Sequence, residues 1–313
     1  MDVKSKIVLI SGPTASGKSK FAIKLAKKIN GEIINADSMQ VYKELRVISA
    51  RPKIREYQNI KHHLYGFHSV KRNFSTGDWL KLALKKITEI KKKNKTPILV
   101  GGTGLYFQSL INGLVKIPEI PIKFRNKIRA IHKKEGQKKF YKNLLKLDPK
   151  VSNKIDSNDI QRSIRAFEVK SFTKISMYDW LQKTEPEFED KEFLRIYIDY
   201  KREDLIKKIS LRTKKMIKNG AVNEVKSFLK LKIKKDKSIN KVIGIDELTQ
   251  YLSKKIDLQE SEELISIKTR QYAKRQATWA RSRMASWKKI NPSMIETYLK
   301  NLKKTSLKLD QLT

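Results

Sequence analysis

The apolar run IVLIS leads directly into GPTASGKS at residues 12–19, and this junction restricts the possible folds more than any other stretch. The octapeptide matches G-x-x-x-x-G-K-[ST], a loop whose backbone amides surround phosphate oxygens. Such a loop needs a buried strand before it and a helix after it, and both patterns are present. The junction therefore predicts an α/β domain that holds a polyphosphate at the N-terminus of its first helix.

Each residue type in this loop has a distinct task. Two glycines let the backbone amides converge on the phosphate oxygens, and the lysine supplies a point charge. The Ser19 hydroxyl is a candidate ligand for Mg²⁺. The predicted phosphate-binding residues are Gly12, Pro13, Thr14, Ala15, Ser16, Gly17, Lys18 and Ser19.

Short apolar runs alternate with helical patterns through the first third of the chain. Strands are predicted at 6–11, 32–38 and 96–104, and helices at 18–30 and 77–93. This alternation is typical of a doubly wound parallel sheet, in which functional groups gather at the carboxyl ends of the strands. Asp37, Ser38 and the glycine turn at 101–103 all lie at the carboxyl ends of predicted strands.

The two prolines of IPEIPI, at 117–122, interrupt this alternation. The chain is then helical in pattern and strongly basic to about residue 190, and a returning strand is predicted at 193–200. We expect a P-loop NTPase-like parallel sheet flanked by helices, with an inserted all-helical domain. The predicted bounds are 1–115 with 191–313 for the α/β core and 116–190 for the insertion. The Lys-rich tail after about residue 290 is expected to be loosely held.

The composition limits the classes of partner. Lys and Arg number 71 against 32 Asp and Glu, a formal net charge of +39, and there is no cysteine. A field this positive favours a polyanion, although a general bias toward lysine accounts for part of it. Disulfides and thiolate zinc sites are excluded, no apolar run reaches the ~20 residues of a membrane span, and the first residues do not resemble a signal peptide. A cytoplasmic location without a membrane partner is expected.

The position of the acidic residues argues against an ordinary nucleotide hydrolase. The apolar strand PILVGGTG ends without the aspartate that would hold the metal in such an enzyme. Asp37, after the second strand, is the nearest candidate, and it could deprotonate an acceptor group. A helix cap or turn residue is the other interpretation of Asp37, and a small-molecule kinase stays open at this point.

Four further segments extend the pattern: NADSMQVY at 35–42, PILVGGTGLYF at 97–107, NDIQRSIRAFEV at 158–169 and RQYAKRQATWARS at 270–282. Together with GPTASGKS they resemble, in order and spacing over about residues 6–285, the tRNA dimethylallyltransferase family, also called tRNA isopentenyltransferases. The resemblance is to the compact bacterial form.

The resemblance implies that the loop holds dimethylallyl diphosphate and that Mg²⁺ at Ser19 assists. The dimethylallyl group would move to the exocyclic N6 amine of the adenosine 3′-adjacent to the tRNA anticodon, with release of diphosphate. Asp37 is the expected general base, because the amine becomes acidic as it is alkylated. The implied catalytic residues are Asp37, Thr103, Lys18 and Arg212.

The resemblance also implies an anticodon stem-loop partner, whose target base must leave its stack. The implied contacts are Asp37, Ser38, Met39, Gln40, Thr103, Arg125, Gln161, Arg162, Ser163, Ile164 and Arg165. Spacing of three places Arg162 and Arg165 on one helix face. Intrahelical pairing with Asp159 or Glu168 is the alternative for these arginines. In the segment 264–289 the aromatic rings are expected to pack into the core.

Two positions depart from the family pattern. The helix after residue 202 usually carries two arginines four apart, but here the first is Lys208, so a diphosphate contact is assigned to Arg212. The usual Gly-Tyr pair reads Gly244-Ile245, which removes an aromatic contact.

Three functions follow in order of preference. The first is the tRNA prenyltransferase, expected to be a monomer. The second is a P-loop kinase or an enzyme that prenylates free adenine nucleotides, for which a basic helical insertion is less necessary. The third is a non-catalytic RNA-binding protein, against which an intact set of Lys18, Ser19 and Asp37 argues, since binding alone needs no base beside a phosphate loop.

Overall fold

The computed structural model describes residues 6–234 and 237–309. The strands are β1 Ile7–Ser11, β2 Gly31–Asn35, β3 His62–His63, β4 Thr96–Gly101, β5 Phe193–Ile198 and β6 Lys288–Ile290. The α-helices are α1 Lys18–Ile29, α2 Thr76–Lys91, α3 Gly104–Asn112, α4 Ile122–Leu147, α5 Ile160–Thr173, α6 Met177–Gln182, α7 Arg202–Lys218, α8 Ala221–Leu229, α9 Ile245–Leu252, α10 Leu258–Arg283 and α11 Ile295–Leu309.

In the described part of the chain, six strands form one sheet in the order β3-β2-β4-β1-β5-β6, and every pairing is parallel. The predicted parallel α/β sheet flanked by helices is therefore confirmed. β1, β2 and β4 are buried along their whole length, which explains why they appear in the sequence as continuous apolar runs rather than alternating ones. β5 ends two residues before the predicted limit, and the short edge strands β3 and β6 carry no apolar signal that would have predicted them.

The sheet brings its functional loops to one edge. β1 and β4 pair in register from Val8 with Ile98 to Ser11 with Gly101, so both strands end side by side. β2 lies on the other side of β4, with Asn35 opposite Val100. Because all three strands run the same way, the loops that follow them lie at the same edge of the sheet.

Contrary to expectation, the tail after residue 290 packs against the core through Ile295, Tyr298, Leu299 and Leu302. Residues 310–313 of the tail lie outside the described residues. α11 packs on α1: Leu299 is buried and the Tyr298 ring lies 6.1 Å from the Phe21 ring, centroid to centroid. Although α11 is rich in lysine, its sequence is amphipathic, and such a helix buries its apolar face against the rest of the protein.

The chain divides into two compact units, Met1–Gln108 with Phe188–Thr313 and Ser109–Glu187. The second unit begins a few residues before the predicted insertion of 116–190. It contains α4, α5 and α6, and its core includes Leu144, Val151, Ile155 and Ala166. Across residues 6–234 and 237–309, no helix combines the length and the apolar character of a membrane span.

Candidate active site

The phosphate-binding loop turns between the last residue of β1 and the first residue of α1. Gly17 has φ of 84°, in the left-handed region that favours glycine, and it caps α1. A Cβ on Gly12 would lie 2.9 Å from Ser16 Oγ and 3.1 Å from the Ile198 carbonyl oxygen, so only glycine fits there. The local sequence therefore determines this loop, as the motif predicts.

Two side chains of the loop, Ser16 and Lys18, have environments that would favour a bound anion. Ser16 is 1% exposed, and within the described residues its hydroxyl has no hydrogen-bond partner. The Lys18 ammonium donates to the Pro13 carbonyl oxygen at 3.2 Å. Burial lowers the pKa of Lys18 to about 8; Asp37 opposes this shift and Arg212 adds to it. An anion bound here would stabilise the charged ammonium.

Asp37 follows β2, and its backbone is fixed by the buried side chain of Asn35. Asn35 Oδ1 accepts from the Asp37 amide at 2.9 Å, and Asn35 Nδ2 donates to the Asp37 carbonyl at 2.9 Å. The Met39 amide donates to Asp37 Oδ1 at 2.9 Å. Asp37 is thus a turn residue, as the alternative interpretation held, and its charge also favours the protonated form of both Lys18 and Arg212.

The turn after β4 lies against the segment that begins at Asp37. Thr103 Oγ1 accepts from the Ser38 amide at 2.9 Å and donates to Ser38 Oγ at 3.2 Å. A Cβ on Gly101 would lie 1.9 Å from the Ala36 carbonyl oxygen. Only glycine permits this approach, and the structure therefore brings Asp37, Ser38 and Thr103 together.

Arg212 on α7 reaches the phosphate-binding loop. Its Nη1 donates to Thr14 Oγ1 at 2.7 Å. Burial lowers the pKa of Arg212, while Asp37 opposes that shift. Lys208, one turn earlier, places its ammonium 4.5 Å from the centroid of the Tyr200 ring. The structure thus places Arg212, and not Lys208, beside the loop.

Gln276 on α10 joins two loops that are far apart in sequence. Its Oε1 accepts from the Thr14 amide at 2.9 Å, and its Nε2 donates to the Gly102 carbonyl at 2.9 Å. The resemblance of the segment RQYAKRQATWARS to the family predicted no role for this glutamine. Its position within a segment that matches the family was the available signal, but the partners are more than 170 residues away.

A cavity of about 260 Å³ opens beside these residues. Its polar lining includes Thr14, Asp37 and Arg212. Its apolar lining, which we call the apolar wall, is formed by Met39, Ile48, Met216, Val242, Ile243 and Ile265. A polar anchor next to an apolar wall is typical of a site for an amphiphilic small molecule.

A second cavity of about 280 Å³ is lined by Ser38, Thr103, Gln276 and Trp279. It shares Tyr272 and Arg275 with the first cavity. Burial, with a smaller contribution from Asp37, raises the pKa of Tyr272, so this phenol stays neutral. Of the aromatic residues in 264–289, Trp287 is buried, as expected, whereas Trp279 lines the cavity and would contact a side chain at Gly104.

The remaining predicted RNA contacts in the first unit, Met39 and Gln40, are both half-buried. Met39 belongs to the apolar wall and packs against a core cluster that includes Met216, Val242 and Ile265. Gln40 Nε2 donates to the Ser49 carbonyl at 3.1 Å, so this amide already fixes a loop.

In the second unit the predicted RNA contacts do not share one environment. Gln161 and Arg162 are exposed, while Ile164 and Arg165 are half-buried. Ser163 is fully buried and its hydroxyl accepts from Gln137, so its side chain packs beneath the surface rather than forming it. Both suggested intrahelical pairs are present: Arg162 lies 3.3 Å from Asp159 and Arg165 lies 3.7 Å from Glu168.

Comparison with known proteins gives a consistent result. The family model described as IPP transferase matches residues 40–283. A tRNA dimethylallyltransferase of Pelagibacter ubique (strain HTCC1062) is 71% identical over 313 residues, 100% of both chains. The full-length tRNA isopentenylpyrophosphate transferase of Bacillus halodurans is similar in structure, with a TM-score of 0.68 at 30% identity over 98% of this chain and 99% of its own. A eukaryotic dimethylallyltransferase acting on tRNA gives a TM-score of 0.80 at 28% identity, over 92% of this chain and 74% of that one. The chain belongs to the IPP transferase family.

Proposed function

We propose that this protein transfers the dimethylallyl group of dimethylallyl diphosphate to the exocyclic N6 amine of the adenosine 3′-adjacent to the anticodon in tRNA, releasing diphosphate. The observation that carries this proposal is the meeting of three groups at one sheet edge: a phosphate-binding loop, a carboxylate at Asp37 and a cavity with an apolar wall. The substrate of a nucleotide hydrolase has no apolar group that would contact this wall, whereas the five-carbon group of a prenyl donor would pack against it.

The diphosphate would lie in the loop formed by Gly12–Ser19. Backbone amides, the buried Ser16 hydroxyl and the Lys18 ammonium would bind its oxygens, with Arg212 contributing from α7. When the bond between C1 and the diphosphate oxygen breaks, the negative charge on that oxygen grows. Cations and amides already in place stabilise this charge, which lowers the barrier.

The residues present fit a Mg²⁺ ion. Among the described residues there is no cluster of three or more acidic or histidine side chains that could hold a metal by itself. Mg²⁺ in phosphate sites uses one or two protein ligands together with the phosphates and water, and the Ser19 hydroxyl at the start of α1 can serve as one. When bound, the ion supplies further neutralisation of the leaving diphosphate.

Asp37 would accept the proton from N6. The bond from N6 to C1 forms while the bond from C1 to diphosphate breaks, and the proton moves from N6 to the carboxylate. The hydrogen bond from the Met39 amide orients Oδ1, so we assign Oδ2 to the substrate amine. Ser38 follows Asp37 directly, and its hydroxyl, hydrogen-bonded to that of Thr103, would position the target nucleotide together with Thr103.

The second unit would bind the anticodon stem-loop through Arg125, Gln161, Arg162 and Arg165. This role agrees with its basic character and with the side chains that reach its surface. We further propose that the protein acts as a monomer in the cytoplasm, where its tRNA substrate is present.

The test is transfer of labelled dimethylallyl diphosphate to a tRNA transcript with adenosine 3′ to the anticodon. The matched control is the same transcript with guanosine at that position, and Asp37→Asn serves as the protein control. Label in the adenosine transcript alone supports the proposal. Label in free adenine nucleotides, or ATP turnover without labelled tRNA, contradicts it and favours the small-substrate alternatives.

A further inference from the structure

Three arginines of the second unit surround one buried carboxylate. Glu168 on α5 has a side chain that is 4% exposed, and Arg165, one turn earlier, places Nη1 3.7 Å from its Oε2. Arg125 and Arg129, one turn apart on α4, place their Nε atoms 4.0 Å from Oε2 and 3.6 Å from Oε1. Arg125, Arg129 and Arg165 form what we call the arginine cluster. Three positive charges against one negative charge leave a net charge of +2.

The contacts within this group are too long to be hydrogen bonds. A charge-assisted bond between guanidinium and carboxylate is typically about 2.7–2.9 Å long. In the described part of the chain, Glu168 Oε1 and Arg125 Nε are buried without a hydrogen-bond partner. Buried polar atoms ordinarily have hydrogen-bond partners. If these side chains served stability alone, we would expect the arginines to lie within hydrogen-bonding distance of Glu168.

A large part of each arginine side chain is exposed to solvent. The side chains of Arg125, Arg129 and Arg165 are 35%, 58% and 38% exposed. Three guanidinium groups so close together repel one another, and the buried carboxylate offsets that repulsion. Most of their N–H donors are left for a ligand. Each planar fork matches two oxygens of a phosphate.

Arg162 differs from the cluster. Its side chain is 70% exposed and lies 3.3 Å from Asp159 at the start of α5, in a pair of its own. The sequence grouped Arg162 with Arg165 by spacing alone. The packing of α4 on α5 instead groups Arg165 with two residues some forty positions earlier.

We propose that Arg129 is a further contact for RNA backbone phosphates, and that Glu168 is a positioning residue that holds Arg125, Arg129 and Arg165 toward one phosphodiester segment. The ligand is an RNA backbone because a row of phosphates presents successive bidentate acceptors to adjacent forks. This inference rests on the proposed function and adds to it one contact and one residue that acts through others.

Glu168→Gln tests the positioning role, because a role in net charge and a role in positioning predict opposite changes in RNA affinity. Loss of a negative charge among cations would tighten RNA binding if only net charge mattered. Loss of positioning predicts the reverse: Kd for an anticodon stem-loop and KM for tRNA rise about tenfold while kcat is unchanged. Tighter or unaltered binding would overturn the proposal. The melting temperature and the affinity for diphosphate, bound in the other unit, verify that the variant is folded.

Arg129→Ala compared with Lys127→Ala gives a second test that does not depend on Glu168. Both residues lie on α4, are exposed and carry one charge. Arg129→Ala should weaken stem-loop binding about fivefold more than Lys127→Ala and lower the slope of log K against log salt by about 1. Equal effects would contradict the assignment of Arg129. Wild-type transfer is measured in parallel: absence of transfer refutes the proposed function, whereas normal transfer with unaltered RNA affinity in the variants refutes only the arginine cluster.

Discussion

Arg212 donates a 2.7 Å hydrogen bond to the Thr14 hydroxyl, and this contact connects α7 to the phosphate-binding loop. Lys208, which occupies the position of the other arginine typical of the family, instead stacks on Tyr200. The two residues lie on one helix, one turn apart, yet only Arg212 makes a hydrogen bond to the loop. Several measurable consequences depend on this and on related contacts.

Arg212→Ala should lower kcat/KM for dimethylallyl diphosphate by on the order of 10²-fold, because a preorganised cation beside the leaving group is lost. Lys208→Ala removes the same charge from the same helix and should change kcat/KM by no more than about twofold. Steady-state kinetics with saturating tRNA measure both. Similar losses in the two variants would show that the long-range charge, not the contact with Thr14, matters.

Asp37→Asn should slow the single-turnover transfer rate by at least about 100-fold, the range expected for loss of a general base. The amide oxygen can still accept from the Met39 amide, so the loop should keep its conformation. Stem-loop affinity, measured by fluorescence anisotropy, is expected to stay near the wild-type value. A transfer rate unchanged by this substitution would remove Asp37 from the mechanism.

Binding of the diphosphate should depend on pH through Lys18. Burial lowers the Lys18 pKa to about 8 in the free protein, and a bound diphosphate favours the charged ammonium and raises that pKa again. Affinity is therefore full below pH 8 and falls as pH rises through 8, by at most about tenfold per pH unit.

Titration calorimetry with an unreactive analogue of dimethylallyl diphosphate measures this dependence from pH 7 to pH 9.5. Lys18→Arg stays charged throughout, so the fall above pH 8 should disappear in that variant. Lys18→Met reveals any dependence that belongs to the ligand. If wild type and Lys18→Arg have the same profile, the titrating group is not Lys18.

Gln276→Ala should destabilise the protein by roughly 1–3 kcal/mol, because the Thr14 amide and the Gly102 carbonyl both lose a partner. It should also lower kcat, since the phosphate-binding loop and the turn before Thr103 are no longer connected. Gln271→Ala, at an exposed position of the same helix, is the control. Thermal unfolding and transfer kinetics measure the two effects. A loss of stability without any loss of kcat would restrict Gln276 to a structural role.

Several parts of the fold were predictable because their causes are local. The phosphate-binding loop follows from glycines at two positions where a side chain would clash or φ is positive. β1, β2 and β4 are continuous apolar runs because both faces of the sheet are covered, and runs of that kind are visible in a sequence. The meeting of Asp37 with Thr103 followed from strand direction, since parallel strands bring their following loops to one edge.

Contacts between distant segments could not be predicted in the same way. The hydrogen bonds of Gln276 and the packing of Leu299 on α1 depend on how helices dock against the sheet, and periodicity does not encode docking. Nothing in the sequence distinguishes Arg162 from Arg165. The packing of α4 against α5 places only Arg165 beside Arg125 and Arg129.

The sequence by itself determined the parallel sheet, the phosphate-binding loop and the chemical types of the residues beside that loop, because these depend on local backbone geometry and on apolar patterning. Only the tertiary structure decided which arginine of α7 contacts the loop, which glutamine connects the loop to the turn after β4, and which carboxylate lies among three arginines. Each of these depends on at least one contact between residues more than thirty positions apart, where the energy of the contact depends on distance and burial rather than on spacing along the chain.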